Sequence, residues 1–383
     1  MFDALREVAG PGFRDDDEAR TQALPGWHPA VAHGLGVPPG CVVAPASTEG
    51  LVEIASICRA NGWRWGAVGG RTSTRAVRPV DVAIDMTGVR VLEVDSVGMR
   101  ARVGAGWSLD ALEEALLEQG IIHGHRLGSG KLATVGGAVA TDACGAFHGR
   151  YGSVRDAVRA ATWVASDGEV VACDASDSIF PRIGGPSPAE DAILIEAELR
   201  VHPEPEARAW AVIEFVDGDD AVEALRLVQR CDAAPALAGI FGDNQLVMAF
   251  EGDEIVQEAC YRLGVAVAIR SGGRIIGGTE EGERWWETRT RTDLWSANGH
   301  PGLWADRAEA QVPWGRVKAV REAMAAVGSN SMESSEFELI HPSRCGVRLA
   351  RSFTLRTDAE GWVRTLRDIR IAARSAGGEP IGP

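Results

Sequence analysis

Between Leu127 and Gly152 the chain reads "LGSGKLATVGGAVATDACGAFHGRYG", and an earlier stretch, Val68 to Val77, reads "VGGRTSTRAV". Both are dense in glycine and small hydroxyl residues, so each is costly to order and has little side chain to pack. What they offer instead is bare backbone. Successive small residues in turn conformations let N–H groups converge on an anion, and the hydroxyls of Thr72, Ser73, Ser129 and Thr134 add donors. Two such loops suit a diphosphate held along its length. The common phosphate cradles fail on spacing: His125 stands where a Walker loop needs its first glycine, and Leu132 where it needs the Ser or Thr that holds Mg²⁺. "GLGVPPG" and "GAGWSL" likewise miss the dinucleotide fingerprint.

Other reactive types are sparse. Seven cysteines are scattered and never spaced as CxxC, which reads as reduced core residues with neither a metal site nor a disulfide framework. His123 and His125 have no carboxylate partner at ligand spacing, so no metal site is expected. With 39 basic and 54 acidic residues the net charge is −15, which argues against nucleic acid or an anionic membrane as partner. No apolar run is long enough to span a bilayer, and the N-terminus does not read as a secretory signal, so no membrane insertion and a cytoplasmic location are expected.

The elements that must position these loops can be read from periodicity. Residues 1–38, rich in proline and glycine, read as an irregular N-terminal segment. "CVV" from Cys41 is a short strand, Ser47 caps a helix whose inner face is Leu51, Ile54, Ala55 and Cys58, and "WRWGAV" is the next strand. "DVAIDMT", "VLEVDS" and "RARVGAG" read as adjacent strands joined by tight turns. Ser108 caps a helix with Leu109, Leu112, Leu116 and Leu117 inward and Gly120 as its stop. "AATWVASDGEVVACD" is a hairpin, "AILIEAELRV" a long strand, and the turn near Pro203 to Pro205 a domain boundary. Beyond it, β-α-β-β-α and then helix, two strands and helix describe an α+β domain on an antiparallel sheet.

At this level of detail the sequence resembles the FAD-binding domain shared by p-cresol methylhydroxylase, vanillyl-alcohol oxidase, D-lactate dehydrogenases and alkyl-dihydroxyacetonephosphate synthase. "VGGRTS" is similar to that family's first diphosphate loop and the Leu127–Gly152 stretch to its second; "WVASDGEVV" and "ILIEAELRV" follow in order. The resemblance implies an α+β fold with a two-part FAD-binding domain (39–203, subdomains 39–88 and 89–203) and an α+β cap domain with an antiparallel sheet (204–383). It implies FAD as cofactor, with Gly69, Gly70, Arg71, Thr72 and Ser73 on one side of the diphosphate. Ser129, Thr134, Gly136, Gly137, Thr141, Gly145 and Tyr151 would line the other side, and Ile193 to Ile195 the flavin edge. In covalently linked relatives a histidine occupies the position of Thr72, so FAD is expected to be non-covalent.

Three departures stand out. Arg71 replaces the third glycine of the first loop and could pair with a phosphate or adenine-side group, or point to solvent. "GPSPAEDA" replaces a Gly-Ser-Glu-Gly run, and a C-terminal histidine-rich segment is expected to be missing. The resemblance implies an FAD-dependent oxidoreductase acting on a small-molecule substrate such as a hydroxy acid or alcohol. His341 stands where the synthase branch places a catalytic tyrosine and is the candidate base; Arg289, Arg291 and Arg344 are candidates for a substrate carboxylate. His125 and His148 could line the site or be hydrogen-bonded turn residues, and Trp285 and Trp286 read as core. Two alternatives remain at this stage: a non-redox flavin enzyme like the synthase, or an FAD-binding subunit completed by a partner, with a homodimer also open.

Overall fold

The computed structural model describes residues 1–26, 28–73, 79–165, 167–174, 192–233, 235–242, 244–289 and 300–381. By its contacts the chain divides into two compact units. One is Met1–Gly145 with Gly152–Glu204; the other is Ala146–Tyr151 with Pro205–Pro383.

In the first unit, β1 (Phe13–Arg14), β2 (Cys41–Val43), β3 (Trp65–Val68) and β4 (Val82–Asp85) form a sheet in the order β1-β2-β4-β3. The irregular reading of the N-terminus is corrected: it contributes β1, antiparallel to β2, and the helices Asp3–Ala9, Asp17–Gln22 and Pro29–Ala32. Leu5 is fully buried in the same cluster as Leu51, Ile54 and Cys58, and Asp16 caps the second helix by accepting from the Ala19 N–H at 2.8 Å. These helices are too short to show a period against so many turn residues. A second correction concerns β4, which runs parallel to β2 and β3 at the centre of this sheet rather than beside the strands that follow it. Its first three residues are all buried, the continuous apolar run of a parallel strand, whereas true hairpin strands alternate.

The second sheet holds β5 (Leu92–Asp95), β6 (Arg100–Gly104), β8 (Val158–Val164), β9 (Val170–Asp174) and β10 (Ile193–Arg200), in the order β5-β6-β10-β8-β9 and antiparallel throughout. β7 (Ile121–Ile122) pairs with β11 (His202–Pro203). Helix Leu109–Leu117, capped by Ser108, buries Leu109, Leu112 and Leu116 against Ala101, Val103, Ala197 and Leu199. Leu117, expected inward, is on the exposed side. Burial pushes the thiols of Cys41 and Cys58 up to about 12, so both behave as inert core residues.

The second unit is one antiparallel sheet of eight strands. These are β12 (Ala207–Glu214), β13 (Leu237–Phe241), β14 (Gln245–Gly252), β15 (Arg274–Gly277), β16 (Leu303–Pro313), β17 (Met332–Ile340), β18 (Gly346–Arg356) and β19 (Glu379–Ile381), ordered β15-β12-β14-β13-β17-β18-β16-β19. Strand β16 escaped the sequence reading because alanines and charges fill it, and neither favours strands. Its pairing with β18 explains them. Ala308, Ala310 and Val312 lie opposite Arg351, Leu349 and Val347 and are buried, while Arg307 and Glu309 share the other face with Ser352 and Ala350. There Arg307 pairs with Glu309 at 2.8 Å and with Glu338 of β17 at 2.6 Å.

One buried carboxylate on β16 makes a pH test possible. Asp306 is 6% exposed; the Trp362 indole N–H of helix Ala359–Ser375 donates to it at 2.9 Å, and burial raises its pKa to about 6. A raised carboxylate pKa means that the folded state disfavours the ionised form. Its contribution is therefore intact below the unfolded pKa of about 4 and is lost as pH rises through about 6. Two units correspond to about 3 kcal/mol. The stability of Asp306→Asn relative to the natural chain is expected to improve by up to that amount between about pH 4 and pH 7 in denaturant titrations. A pH-independent difference would contradict the burial argument.

Candidate functional site

The two small-residue loops meet in the first unit. β3 ends at Val68, and a Cβ on Gly69 would run into the Thr134 hydroxyl, while one on Gly70 would overlap the Leu132 carbonyl. Gly70 therefore meets backbone and Gly69 a side chain, and the close approach accounts for glycine at both places. No N–H of Gly69, Gly70, Arg71 or Thr72 has an acceptor among the described residues. Four adjacent donors with no acceptor among the described residues, beside a hydroxyl-bearing loop, are the donor chemistry that suits an anion.

The second loop is strung along the β6-to-helix connection. The Val135 N–H donates to the Trp107 carbonyl at 2.8 Å, Gly136 to Ala105 at 2.9 Å and Leu109 to Ala133 at 2.9 Å. Thr134, 4% exposed, caps helix Val135–Thr141 by accepting from the Gly137 N–H at 3.3 Å. The N–H groups of Gly136 and Gly137 are thus bonded within the fold. Gly136 is there because a Cβ would press on Ala105, and Gly145 because one would press on the backbone of Arg126.

Several other expected cofactor residues also make contacts within the fold. Thr141 donates its hydroxyl to the Gly137 carbonyl at 2.8 Å. Ile193 and Ile195 are core side chains packed with Trp65 and Ile84; Ile195 sits at a bulge in β10, and its carbonyl accepts from the Ala105 N–H at 2.8 Å. Tyr151 is grouped with the second unit. Buried there, it donates its hydroxyl to Glu251 at 2.5 Å, and Arg208 pairs with the other oxygen of that carboxylate at 2.5 Å. Ser129 is half-buried, and its carbonyl closes the turn by accepting from Leu132 and Ala133 at 2.9 and 2.8 Å.

Arg71 does not point to solvent. Its Nη2 pairs with Asp85 at 3.0 Å, and Asp85 in turn accepts from the Thr87 N–H at 3.0 Å and hydroxyl at 2.6 Å. Asp85 and Thr87 were missed in the sequence, although Asp-x-Thr at a strand end is a turn signal that could have found them. His123 and His125, both buried, stack at 5.8 Å. The ring of His123 accepts from the His125 N–H at 2.9 Å through Nδ1 and lies 2.8 Å from the Leu109 carbonyl through Nε2, which assigns the proton to Nε2. Burial, with His123, His202 and Arg200 nearby, pushes the His125 pKa down to about 3, so it stays neutral.

In the second unit two histidines 193 positions apart come together. His341 follows β17 in left-handed backbone, φ +48°, and its ring centroid lies 5.2 Å from that of His148. The Nδ1 of His148 is buried with no hydrogen-bond partner among the described residues. Trp285 packs on Phe241 at 4.5 Å and Trp286 on Phe147 at 5.8 Å. Arg289 ends helix Thr279–Arg289 and Arg344 is exposed, while Arg291 lies outside the described residues, as do nearly all of the "GPSPAEDA" positions.

Residues 39–174, which hold both loops, match the family described as FAD binding domain. The chain carries an FAD-binding domain. This FAD-binding domain and its neighbour have the p-cresol methylhydroxylase-type fold. A solved alkyldihydroxyacetonephosphate synthase superposes with a TM-score of 0.85 over 99% of this chain and 80% of that one, at 18% identity. By sequence the chain is similar to a D-lactate dehydrogenase of Anaerostipes hadrus, 30% identical over 267 residues, or 66% of this chain and 54% of the relative. It is also 34% identical to the FAD-linked oxidoreductase YgcU of Escherichia coli K12, over 44% of this chain and 37% of that protein. The chain thus spans about half or less of the length of these relatives. The residues present fit FAD: two loops in close contact leave backbone donors without an acceptor among the described residues, and Arg71, held by Asp85, adds guanidinium donors.

Proposed function

We propose that the protein is an FAD-dependent oxidoreductase that removes hydride from a small hydroxy acid or alcohol, with D-lactate the first substrate to try. The observation that carries the reading is the FAD-binding domain at residues 39–174, together with relatives named as a D-lactate dehydrogenase and an FAD-linked oxidoreductase. When bound, FAD supplies a two-electron acceptor. The chain's own residues then have three tasks. Gly69, Gly70, Thr72 and Ser73, with Ser129 and Thr134, hold the diphosphate. FAD is dissociable, because Thr72 stands where covalently linked relatives have a histidine. His341 takes the substrate hydroxyl proton, an assignment supported by its ring contact with His148 and by its held backbone.

Anaerobic addition of candidate 2-hydroxy acids or alcohols to the FAD-loaded protein should bleach the flavin. Asparagine tolerates left-handed backbone, so His341→Asn tests the ring without straining the turn. The variant should keep its FAD and be reduced about 100-fold or more slowly, the usual cost of losing a general base. Bound FAD that no such substrate bleaches would count against oxidation. Turnover of an alkyl-transfer substrate without bleaching would favour the chemistry named for the synthase relatives.

A further inference from the structure

We propose that Arg71 is a side-chain ligand of the FAD diphosphate and that Asp85 positions it for that contact. The proposal rests on the FAD assignment of residues 39–174 and not on the redox reading. Arg71 adopts φ +59°, a conformation that suits glycine and that an L-residue enters only at a cost. A glycine here would relieve that strain, so the side chain must return something.

Its direction is set by others. Asp85, at the end of β4, is fixed by two bonds from Thr87 and holds Nη2 of Arg71 at 3.0 Å. This uses one corner of a planar five-donor group. The Nε is buried and donates to nothing among the described residues. A buried guanidinium donor without an acceptor is costly to leave unmade, and here it belongs to the same loop as the four unpaired backbone N–H groups of Gly69 to Thr72.

One ligand chemistry completes both sets. A diphosphate presents several anionic oxygens along its length, enough for the backbone donors and for the remaining fork of an arginine. Because Arg71 is ion-paired with Asp85, what it offers a diphosphate is directed N–H donors rather than net charge. Asp85 is bonded to Arg71 and Thr87 and would act on the diphosphate only through the arginine, so it is a positioning residue. It keeps the guanidinium from swinging to solvent without neutralising its unused donors.

The test is binding to the apoprotein of FAD, of ADP, which keeps the diphosphate, and of riboflavin, which lacks it, read by flavin fluorescence and calorimetry. Arg71→Gly should weaken FAD and ADP by the same factor, about 10-fold or more, leave riboflavin unchanged and keep the melting temperature. Arg71→Lys should fall between, since it keeps the charge but not the fork. Asp85→Asn should shift FAD in the same direction by less, and should add nothing in an Arg71→Gly background. Arg71→Gly that binds FAD and ADP as tightly as the natural chain, or more tightly because strain is relieved, overturns the proposal. Equal weakening of riboflavin overturns it too, because that would be general damage to the seat. A natural chain that binds neither FAD nor ADP removes the seat itself, and Arg71 with it.

Discussion

Replacing Gly70 by alanine should strip the protein of FAD. The added Cβ would overlap the Leu132 carbonyl, and the neighbour is backbone, so no side chain can swing away to make room. One loop has to retreat, and the four unpaired donors of Gly69 to Thr72 lose their common direction with it. A loss of about 3 kcal/mol in FAD binding, or about 100-fold in Kd, is expected, enough to leave the variant colourless after gel filtration. Gly50→Ala is the control. It lies in helix Thr48–Ala60, where a Cβ would meet only the Ser47 hydroxyl at 3.7 Å, and it should be neutral or slightly stabilising. Equal flavin content in the two variants would show that the loops do not need their backbone contact.

The second large effect is expected at Arg351, which is 2% exposed in β18. Among the described residues it has no carboxylate partner; its Nη1 donates to the carbonyls of Met324 and Val327, and its Nε to the Ser335 hydroxyl at 2.8 Å. Met324 and Val327 end helix Val317–Ala326, so the arginine does the work of a C-cap from a neighbouring strand. Arg351→Met keeps the length and the apolar stem but leaves two carbonyls and a hydroxyl without their donor. About 3 to 5 kcal/mol of stability should be lost, seen as an earlier midpoint in urea with flavin affinity unaffected before unfolding. Because burial lowers the Arg351 pKa, lysine is no rescue: an ammonium there would lose its proton more readily still. A change below about 1 kcal/mol would mean that water reaches the helix end in the variant.

Local signals carried much of this fold. The Ser47 and Ser108 caps, the apolar faces of their helices, the Trp163 hairpin and the long β10 strand all follow from periods and caps that need no distant partner. What escaped depended on partners far along the chain. β16 has a strand's alternation but alanines and charges in place of β-branched residues, and only its pairing with β18 makes a strand of it. β4 looked like its neighbours because nothing local says that its partners are β2 and β3. The site divides in the same way. Glycine at 69 and 70 was legible as a backbone requirement, but the spending of the Gly136 and Gly137 donors on Ala105 and Thr134 was not. Tyr151 shows the limit most clearly, since its hydroxyl answers to Glu251, 100 positions away.

The six residues Ala146–Tyr151 belong with the second unit, while the chain on either side belongs with the first. Phe147 meets Trp210 and Trp286, and a Cβ on Gly149 would strike the Pro235 carbonyl, so this short strap is built into the later half of the chain. During synthesis the residues that flank it emerge well before Trp210, Glu251 and Trp286 exist. The strap therefore waits, and the loop that precedes it waits tethered to an unplaced segment. Cutting the gene between the two units would yield a first half with its strap exposed and a second half lacking Phe147 and Tyr151. Only the second fragment would lack residues that its own core uses, so the later half depends on a segment encoded within the earlier one.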